Sequence, residues 1–247
     1  MKVIGLLSRK GGVGKTTLAV HLAVLAQQGG QRTLLIDLDP QGSAAAWWRA
    51  REAVTPALVE TQPAELRGIL DAARDDGVDL VIVDTRPSAE ADVAHVAALA
   101  DLVLIPSRPT IFDLRAILGT LDVVKGVARR SLLVLNACPP ARGAGEASIV
   151  TDARHALAAF GVPMAPVAIT NRAAFVSAPV TGLTAGETDP QGKAAKEIRA
   201  LWRIVEKELA HGKAQTIADR RPGSEAAATG SSRRTRARVE SQATQGG

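Results

Sequence analysis

A glycine-rich stretch near the start of the chain, residues 8–17 with the sequence SRKGGVGKTT, constrains the fold more than any other feature. A short apolar run precedes it at residues 3–7, and a segment with helical spacing covers residues 16–28. A glycine-rich turn between a strand and a helix is the setting of a phosphate-binding loop, because backbone N–H groups and the helix dipole then point at the anion. These flanking elements favour a phosphate loop over a glycine-rich turn with unrelated Lys and Thr.

Each residue type of the stretch has a use in binding a nucleoside triphosphate. We expect Lys15 to neutralise charge on the β- and γ-phosphates and Thr16 to place its hydroxyl on Mg²⁺. Two features are unusual, because Arg9 stands where the common pattern G-x-x-x-x-G-K-[ST] has its first glycine, and Lys10 adds a second lysine. The predicted nucleotide-contacting residues of the loop are Gly11, Gly12, Val13, Gly14, Lys15, Thr16 and Thr17.

Short apolar runs recur along the chain and alternate with longer segments rich in Ala and Leu. The runs lack the polar alternation of half-buried strands, as expected of parallel strands covered on both faces. The pattern predicts a doubly wound α/β fold, with a mostly parallel sheet and helices on both faces. Predicted strands are residues 3–7, 33–36, 80–83, 102–105 and 132–135, and predicted helices are residues 16–28, 63–75, 89–100, 111–129, 147–160 and 194–209.

Three aspartates follow predicted strands. Asp37 and Asp39 lie in the segment DLDPQG after the second strand, and Asp84 follows the strand at residues 80–83. Ligands of doubly wound sheets bind at the carboxyl ends of the strands, so these acids are expected beside the phosphate loop. We expect Asp84 to hold Mg²⁺ through water, and Asp37 or Asp39 to orient or activate the attacking water. A helix cap or a turn is the alternative role for any one of them.

Composition limits the remaining classes of protein. The chain has 247 residues, and its single cysteine, Cys138, permits neither an intrachain disulfide nor a cysteine-based metal cluster. No apolar run approaches the length of a membrane span, and we expect a cytoplasmic protein. Residues 212–247 hold seven Lys or Arg, three Asp or Glu and few large apolar residues. We therefore expect an α/β domain over residues 1–211 and a basic, disordered tail over residues 212–247.

Taken together, KGGVGKTT, DLDPQG and an apolar strand ending in Asp84-Thr85 resemble the ParA/MinD group of deviant Walker A ATPases, over residues 1–209. Because the chain starts directly at the first predicted strand, it is similar to small ParA partition proteins without an N-terminal helix-turn-helix. The resemblance implies that two protomers enclose two ATP molecules. It also implies that Lys10 reaches the partner's phosphates, where it would stabilise developing charge, and that Asp39 positions the hydrolytic water.

Two positions extend or depart from the family pattern. Arg86 stands where the family commonly has a proline. It could contact a partner protomer, a phosphate group or only solvent, and the sequence does not choose among these. Asn136 follows a predicted strand at a place where relatives often contact the adenine, with a plain turn as the alternative. A solvated surface position is the alternative for Lys10.

The last predicted helix carries a basic stripe at helical spacing. Its members are Lys193, Lys196, Arg199, Arg203 and Lys207. Such a stripe can follow phosphates without reading bases, and the resemblance implies nonspecific DNA binding through C-terminal basic residues. An ordinary solvated face is the alternative, because Glu197, Glu206 and Glu208 are interspersed. Arg172 is a weaker candidate for the same contact.

The resemblance implies a DNA partition ATPase with ATP, ADP and Mg²⁺ as ligands. The ATP-bound homodimer would bind nucleoid DNA, and a centromere-binding partner of the ParB type would stimulate hydrolysis. Positioning of another cargo, such as a chemoreceptor array or a conjugation complex, is the main alternative. A MinD-type regulator would need an amphipathic membrane helix, for which residues 212–247 lack the apolar side chains, so no stable membrane association is expected.

Two further classes can be compared with the sequence. A reductase similar to the nitrogenase iron protein is excluded, because its shared iron–sulfur cluster needs two cysteines per protomer. A metabolic phosphate-loop kinase or ligase has no positive sign in the sequence, although Lys10 alone does not forbid it.

Overall fold

Strands and helices alternate along the described chain as far as residue 158, and only helical elements follow. The computed structural model describes residues 1–87, 90–127, 130–141, 143, 145–161 and 163–218. The strands are β1 (Lys2–Leu6), β2 (Thr33–Asp37), β3 (Ala57–Glu60), β4 (Leu80–Asp84), β5 (Leu102–Ser107) and β6 (Ser131–Leu135). The helices are α1 (Lys15–Gln28), α2 (Ser43–Arg49), α3 (Leu66–Asp75), α4 (Glu90–Leu99), α5 (Ile111–Gly126), α6 (Ser148–Ala158), α7 (Ala174–Ser177), α8 (Ala185–Thr188) and α9 (Lys193–Ala218).

The six strands form one sheet in the order β3-β2-β4-β1-β5-β6, and every neighbouring pair is parallel. The strand β1 lies near the centre, between β4 and β5. Parallel neighbours need crossover connections, and the intervening helices supply them. The predicted doubly wound α/β fold is therefore confirmed.

Both faces of the sheet are covered, as the apolar composition of the strands predicts. In β4, Val81 and Val83 pack into one core with α3, α4, α5 and α6. Their neighbours Leu80 and Ile82 pack into a second core, which α1, α2 and α9 complete. Because side chains alternate between the faces of a strand, a fully apolar strand can supply both cores.

The structure departs from the predicted elements mainly at the edges. Strand β3 was not predicted, because it has four residues, lies at the edge of the sheet and pairs only with β2. The predicted helix at residues 63–75 begins as a 3₁₀ turn, Pro63–Glu65, before α3. The short helices α7 and α8 were also missed, since segments of four residues have no measurable periodicity.

The last helix is longer than the sequence predicts. Helix α9 continues to Ala218, whereas the domain was expected to end at residue 211. The rest of the predicted tail, residues 219–247, lies outside the described residues. Within the part of the chain that the structure describes, no helix is both long enough and apolar enough to cross a membrane.

Candidate functional site

A cleft of about 490 Å³ opens at the carboxyl ends of the strands, beside the turn between β1 and α1. Gly12 and Gly14 of this turn have φ of 71° and 87°, in the left-handed region that favours glycine. Gly14 directly precedes α1, so the free N–H groups of the helix start adjoin the cleft. The predicted residues that line the cleft are Gly12, Gly14, Lys15, Thr16, Thr17 and Asp39.

Lys15 presents a buried ammonium group to this cleft. Only 6% of the residue is exposed, and Nζ donates to the carbonyl oxygens of Ser8 and Lys10 at 3.4 Å each. Burial lowers the pKa of Lys15, while the charges of Asp84 and Asp39 act in the opposite direction. An ammonium group held by two long bonds to neutral carbonyls is well suited to an anionic ligand.

Asp84 at the end of β4 is a buried acid without a hydrogen-bond partner. The residue is 0% exposed, and neither carboxylate oxygen accepts a hydrogen bond from any described group. Burial raises the pKa of Asp84 to about 7. The Thr16 hydroxyl lies close enough to offset part of this rise, although its contact with the Asp84 carboxylate lacks the geometry of a normal hydrogen bond. Unsatisfied buried carboxylate oxygens are rare in proteins, and a bound cation is one ligand that would satisfy those of Asp84.

These residues fit a magnesium ion that arrives with a phosphate ligand. Mg²⁺ prefers oxygen ligands and is usually held by one or two carboxylates together with substrate phosphates and water. No group of three or more acidic, His or Cys side chains that could hold a metal occurs in the described part of the chain. A cation at Asp84 and Thr16 would therefore take most of its ligands from phosphate and water.

Asp37 does not share this role. It is buried at the end of β2, and its two carboxylate oxygens accept the N–H groups of Asp39 at 2.9 Å and Ala45 at 3.0 Å. Burial is the main cause that raises the pKa of Asp37. Asp37 therefore holds the loop before α2, whereas Asp39 lines the cleft, and contact of Asp37 with a bound ligand stays a prediction.

Asn136 supports the phosphate loop from behind. Its Nδ2 donates to the carbonyl oxygen of Val13 at 2.7 Å, and a Cβ atom at position 14 would lie 2.2 Å from Nδ2. Gly14 is therefore required both for its backbone dihedral and for its close approach to Asn136. Asn136 is buried and is not among the residues that line the cleft, so the structure gives it a role in supporting the loop, and its contact with the adenine stays a prediction.

Three further residues of the loop region lie outside the cleft. Gly11 lies against Pro87, where a Cβ atom would be 3.3 Å from Cγ, and Lys10 is partly exposed beside it. The backbone N–H of Lys10 donates to Oγ of Ser8 at 3.2 Å. Arg86, whose partner the sequence left open, forms an ion pair with Asp92 at 2.8 Å. The loop after β4 is thus anchored to α4.

His21 connects α1 to a distant segment, and sequence analysis did not identify it. Its Nδ1 lies 2.7 Å from the carbonyl oxygen of Thr17, and its Nε2 accepts the N–H of Ala185 at 3.0 Å. Since Nε2 is an acceptor, Nδ1 carries the proton. Burial lowers the pKa of His21 to about 4, so the ring is neutral at physiological pH. Its partner lies 164 residues away, so no local signal could have revealed it.

The far wall of the cleft is built from α2 and the segment around α7. Trp47 lines the cleft and donates through Nε1 to the carbonyl oxygen of Leu183 at 3.2 Å. Arg51 lies over the Trp47 ring and forms an ion pair with Glu187 at 2.6 Å. Trp47 also packs α2 against the sheet, since it is buried in the second core. Phe175 completes this wall and packs edge-on against His21.

The basic stripe of α9 is exposed along the helix. Lys193, Lys196, Arg203 and Lys207 are exposed, and Arg199 is partly exposed. Arg172 does not extend the stripe, because Nη2 forms an ion pair with Glu197 at 2.5 Å. Contact of Arg172 with DNA stays a prediction.

Two of the three interspersed glutamates have cationic partners. Arg172 pairs with Glu197, and Arg130 lies 3.6 Å from Glu208. Pairing offsets the negative charge of these acids beside the stripe. The stripe therefore presents mainly positive charge.

Comparison with known proteins agrees with this arrangement. The model of the CobQ/CobB/MinD/ParA nucleotide binding domain matches residues 4–185. The carboxysome distribution maintenance protein A of Gloeobacter kilaueensis is 36% identical over 217 residues, which cover 84% of this chain and 94% of that protein. The chromosome-partitioning ATPase Soj of Thermus thermophilus is 34% identical over 154 residues, which cover 50% and 61%.

Solved structures show the same fold at low sequence identity. Apo McdA from Cyanothece has a TM-score of 0.70 at 18% identity and covers 85% of this chain and 99% of that one. MinD from Pyrococcus horikoshii in complex with Mg-ADP has a TM-score of 0.69 at 16% identity, with coverage of 85% and 98%. The chain belongs to the ParA/MinD family of nucleotide-binding ATPases.

Proposed function

We propose that the chain hydrolyses ATP with Mg²⁺, dimerises when ATP is bound, and uses nonspecific DNA as the surface on which it positions a cargo. The observation that carries the catalytic part is the unsatisfied carboxylate of Asp84 beside Lys15 and Thr16. In a nucleotide-free chain this arrangement leaves a buried anion and a buried cation without strong ligands. Mg²⁺ and a triphosphate would supply both.

The residues of the cleft divide the work of the proposed reaction. The N–H groups of the turn and Lys15 would bind the phosphates of ATP or ADP, and Thr16 and Asp84 would hold the metal ion. When bound, the ion would neutralise charge on the phosphates. Asp39, which is partly exposed and lines the cleft, would orient the attacking water.

The proposed dimer is supported by the surface around the cleft. Among the described residues, those that line the cleft do not include Lys10, whose side chain is partly exposed at the rim. This position suits a lysine that acts on the nucleotide of a second protomer. Large apolar side chains are also exposed at this edge of the sheet, namely Phe112 at 72% and Val180 at 75%. Exposed apolar groups of this size are typical of interaction surfaces.

The DNA contact is proposed for α9. Lys193, Lys196 and Arg203 would bind phosphates of the duplex without reading its sequence. Such contacts predict binding that weakens steeply with salt. This part of the proposal also implies a nucleoid-associated location in the cytoplasm.

Two kinds of cargo are supported by relatives. The name of Soj from Thermus thermophilus supports chromosome partition, in which a ParB-type protein bound to a centromere would stimulate hydrolysis. The relative from Gloeobacter kilaueensis, named for carboxysome distribution, aligns along most of its length and supports a protein compartment or complex as the cargo instead. We propose DNA partition as the first candidate and positioning of such a complex as the second.

The biochemical part is tested with the purified full-length chain. We expect a dimer and tighter binding to random-sequence duplex DNA with ATP and Mg²⁺ than with ADP and Mg²⁺, measured by light scattering and fluorescence anisotropy. Lys10→Ala should bind ATP normally but fail to dimerise. Equal DNA affinity with both nucleotides would contradict the DNA part, and a normal dimer of Lys10→Ala would contradict the action of Lys10 on the partner.

The cargo is tested in cells that lack the gene. Loss of plasmid or chromosome copies among daughter cells would support partition. Even inheritance of DNA together with clustering of a protein compartment would support the second candidate.

A further inference from the structure

Arg9, which replaces the first glycine of the common phosphate-loop pattern, is held by helix α5. Its backbone N–H donates to Oγ1 of Thr120 at 3.2 Å, across 111 residues of sequence. Its side chain lies over Gly119, the preceding residue of the same helix. Two consecutive residues of α5 therefore contact the backbone and the side chain of Arg9.

The absence of a side chain at Gly119 makes this contact possible. A Cβ atom at position 119 would lie 2.4 Å from Nη1 of Arg9, 3.3 Å from Cζ and 3.4 Å from Cδ. The first of these separations is far below van der Waals contact. The clash would fall on the end of a flexible side chain, so Gly119→Ala should displace the guanidinium and leave the backbone of α5 in place.

Thr120 supplies the second half of the anchor. The residue is 0% exposed, so water cannot replace its hydroxyl as the acceptor for Arg9. Valine has nearly the same shape as threonine but no acceptor oxygen, so Thr120→Val should remove the hydrogen bond selectively.

The anchor on Arg9 fixes the residues on either side of it. Ser8 and Lys10 both offer their carbonyl oxygens to Nζ of Lys15, and Oγ of Ser8 accepts the N–H of Lys10. The backbone of Lys10 is therefore held by the phosphate loop, and its side chain alone is left to move. The charge of Lys10 also acts on Asp113 in α5. Burial alone would raise the pKa of Asp113, but hydrogen bonds from Thr110 and Arg108 lower it. The positive charges of Arg108 and Lys10 lower this pKa further.

We propose that Gly119 and Thr120 are positioning residues, which hold Arg9 so that Lys10 leaves the loop in the direction that a second protomer requires. This inference rests on the proposed action of Lys10 on the partner's nucleotide. Arg9 at the position of the first glycine is then no defect in a phosphate loop, because its side chain adds a contact with Gly119 that glycine cannot make.

The test compares Gly119→Ala and Thr120→Val with matched controls on the same helix. Gly126→Ala adds the same methyl group to α5 at a position with open space around it, and Thr120→Ser retains the hydroxyl. Arg9→Ala, alone and combined with Gly119→Ala, completes a double-mutant cycle.

Three measurements separate the steps. Hydrogen exchange of residues 8–14 in the nucleotide-free protein reports the anchor, binding of a fluorescent ATP analogue reports the loop, and light scattering with ATP and Mg²⁺ reports the dimer. We expect faster exchange and about tenfold weaker dimerisation for Gly119→Ala and Thr120→Val, with ATP affinity nearly unchanged, because a displaced group loses its effect over about 1 Å. In the Arg9→Ala background, Gly119→Ala should have no further effect.

Each contrary outcome overturns a defined part. Unchanged hydrogen exchange in both variants would show that α5 does not anchor the loop. Faster exchange with normal dimerisation would show that the anchor does not position Lys10. Normal dimerisation of Lys10→Ala itself would instead overturn the proposed function, and the exchange measurement would still decide whether the anchor exists.

Discussion

Asp37 and Asp84 lie directly opposite each other on the neighbouring parallel strands β2 and β4, yet of their two carboxylates only that of Asp37 accepts hydrogen bonds from described groups. Both carboxylates are buried, and burial is the largest cause of a raised pKa in each. One acid is satisfied by the backbone of its own loop, whereas the other lies unsatisfied under the cleft. Replacement by asparagine should therefore have opposite effects at the two positions.

Asp84→Asn should stabilise the nucleotide-free protein, and the gain should grow with pH. Burial raises the pKa of Asp84 from 3.8 to about 7, so the folded state binds more protons than the unfolded state between these values. Folding stability is therefore lost as pH rises through this window, by roughly 4 kcal/mol at most above pH 7. Urea denaturation at pH 5 and pH 8 measures the gain. The exposed Asp122→Asn is the control, and an equal gain at both values would contradict the prediction.

Asp37→Asn should destabilise the protein. The Asp37 carboxylate accepts the backbone N–H groups of Asp39 and Ala45. In asparagine, the amide NH₂ would face one of these two N–H groups, which would then lose its acceptor. We expect a loss of about 2 kcal/mol in the free energy of unfolding, measured by urea denaturation at pH 7. Asp39→Asn, at a partly exposed position, should change stability by less than about 0.5 kcal/mol and reduce ATP hydrolysis instead. A stable Asp37→Asn protein would refute its role in holding the loop.

Asn136→Ala should weaken ATP binding through the phosphate loop that Asn136 supports. The substitution removes the bond from Nδ2 to the carbonyl oxygen of Val13, worth about 1 kcal/mol, or roughly a fivefold rise in Kd if the loop bears the whole loss. Asn136→Asp should be worse, because its oxygens would repel that carbonyl. Equilibrium binding of a fluorescent ATP analogue measures both. Unchanged affinity of Asn136→Ala relative to the unsubstituted protein would indicate that the donor is unimportant.

Arg172 and the stripe should affect DNA binding by different mechanisms. The double variant Lys196→Ala with Arg203→Ala should show a shallower slope of log affinity against log salt concentration. The decrease should correspond to the loss of about two phosphate contacts, and anisotropy with ATP measures it. Arg67→Ala, on α3 across the sheet, is the control.

Arg172→Ala should weaken DNA binding indirectly, because it leaves Glu197 unpaired beside the stripe. Glu197→Gln should then restore the affinity in the double variant, measured in the same assay. Failure of that rescue would show that Arg172 contacts DNA itself.

The central part of the site could be predicted from the sequence because its signals are local. The glycine-rich turn lies between an apolar run and a helix, and Asp39 and Asp84 lie within two residues of the end of a buried strand. The carboxyl ends of parallel strands meet at one edge, so fold and site were predicted together. Strand β3 could not be predicted, because a short, half-exposed strand at the edge of the sheet has little apolar pattern.

The roles that the sequence left open or did not reveal depend on contacts between distant parts of the chain. Asn136 bonds Val13 across 123 residues, and Arg172 finds its partner Glu197 on another element. Side-chain type alone fits several roles at each of these positions, and tertiary packing selects one. The partner of His21, a backbone N–H, has no side-chain signature at all.

The central place of β1 has a consequence for how the site is assembled. Strand β1 pairs with β4 and β5. After it, the N–H of Leu7 donates to the carbonyl oxygen of Leu104 in β5, and the N–H of Arg9 donates to Oγ1 of Thr120 in α5. Arg9 is synthesised 111 residues before Thr120, so a growing chain cannot complete its phosphate loop until α5 has left the ribosome. Pairing across such separations is slow, and the phosphate loop of a nascent chain should become protected from hydrogen exchange only after α5 emerges.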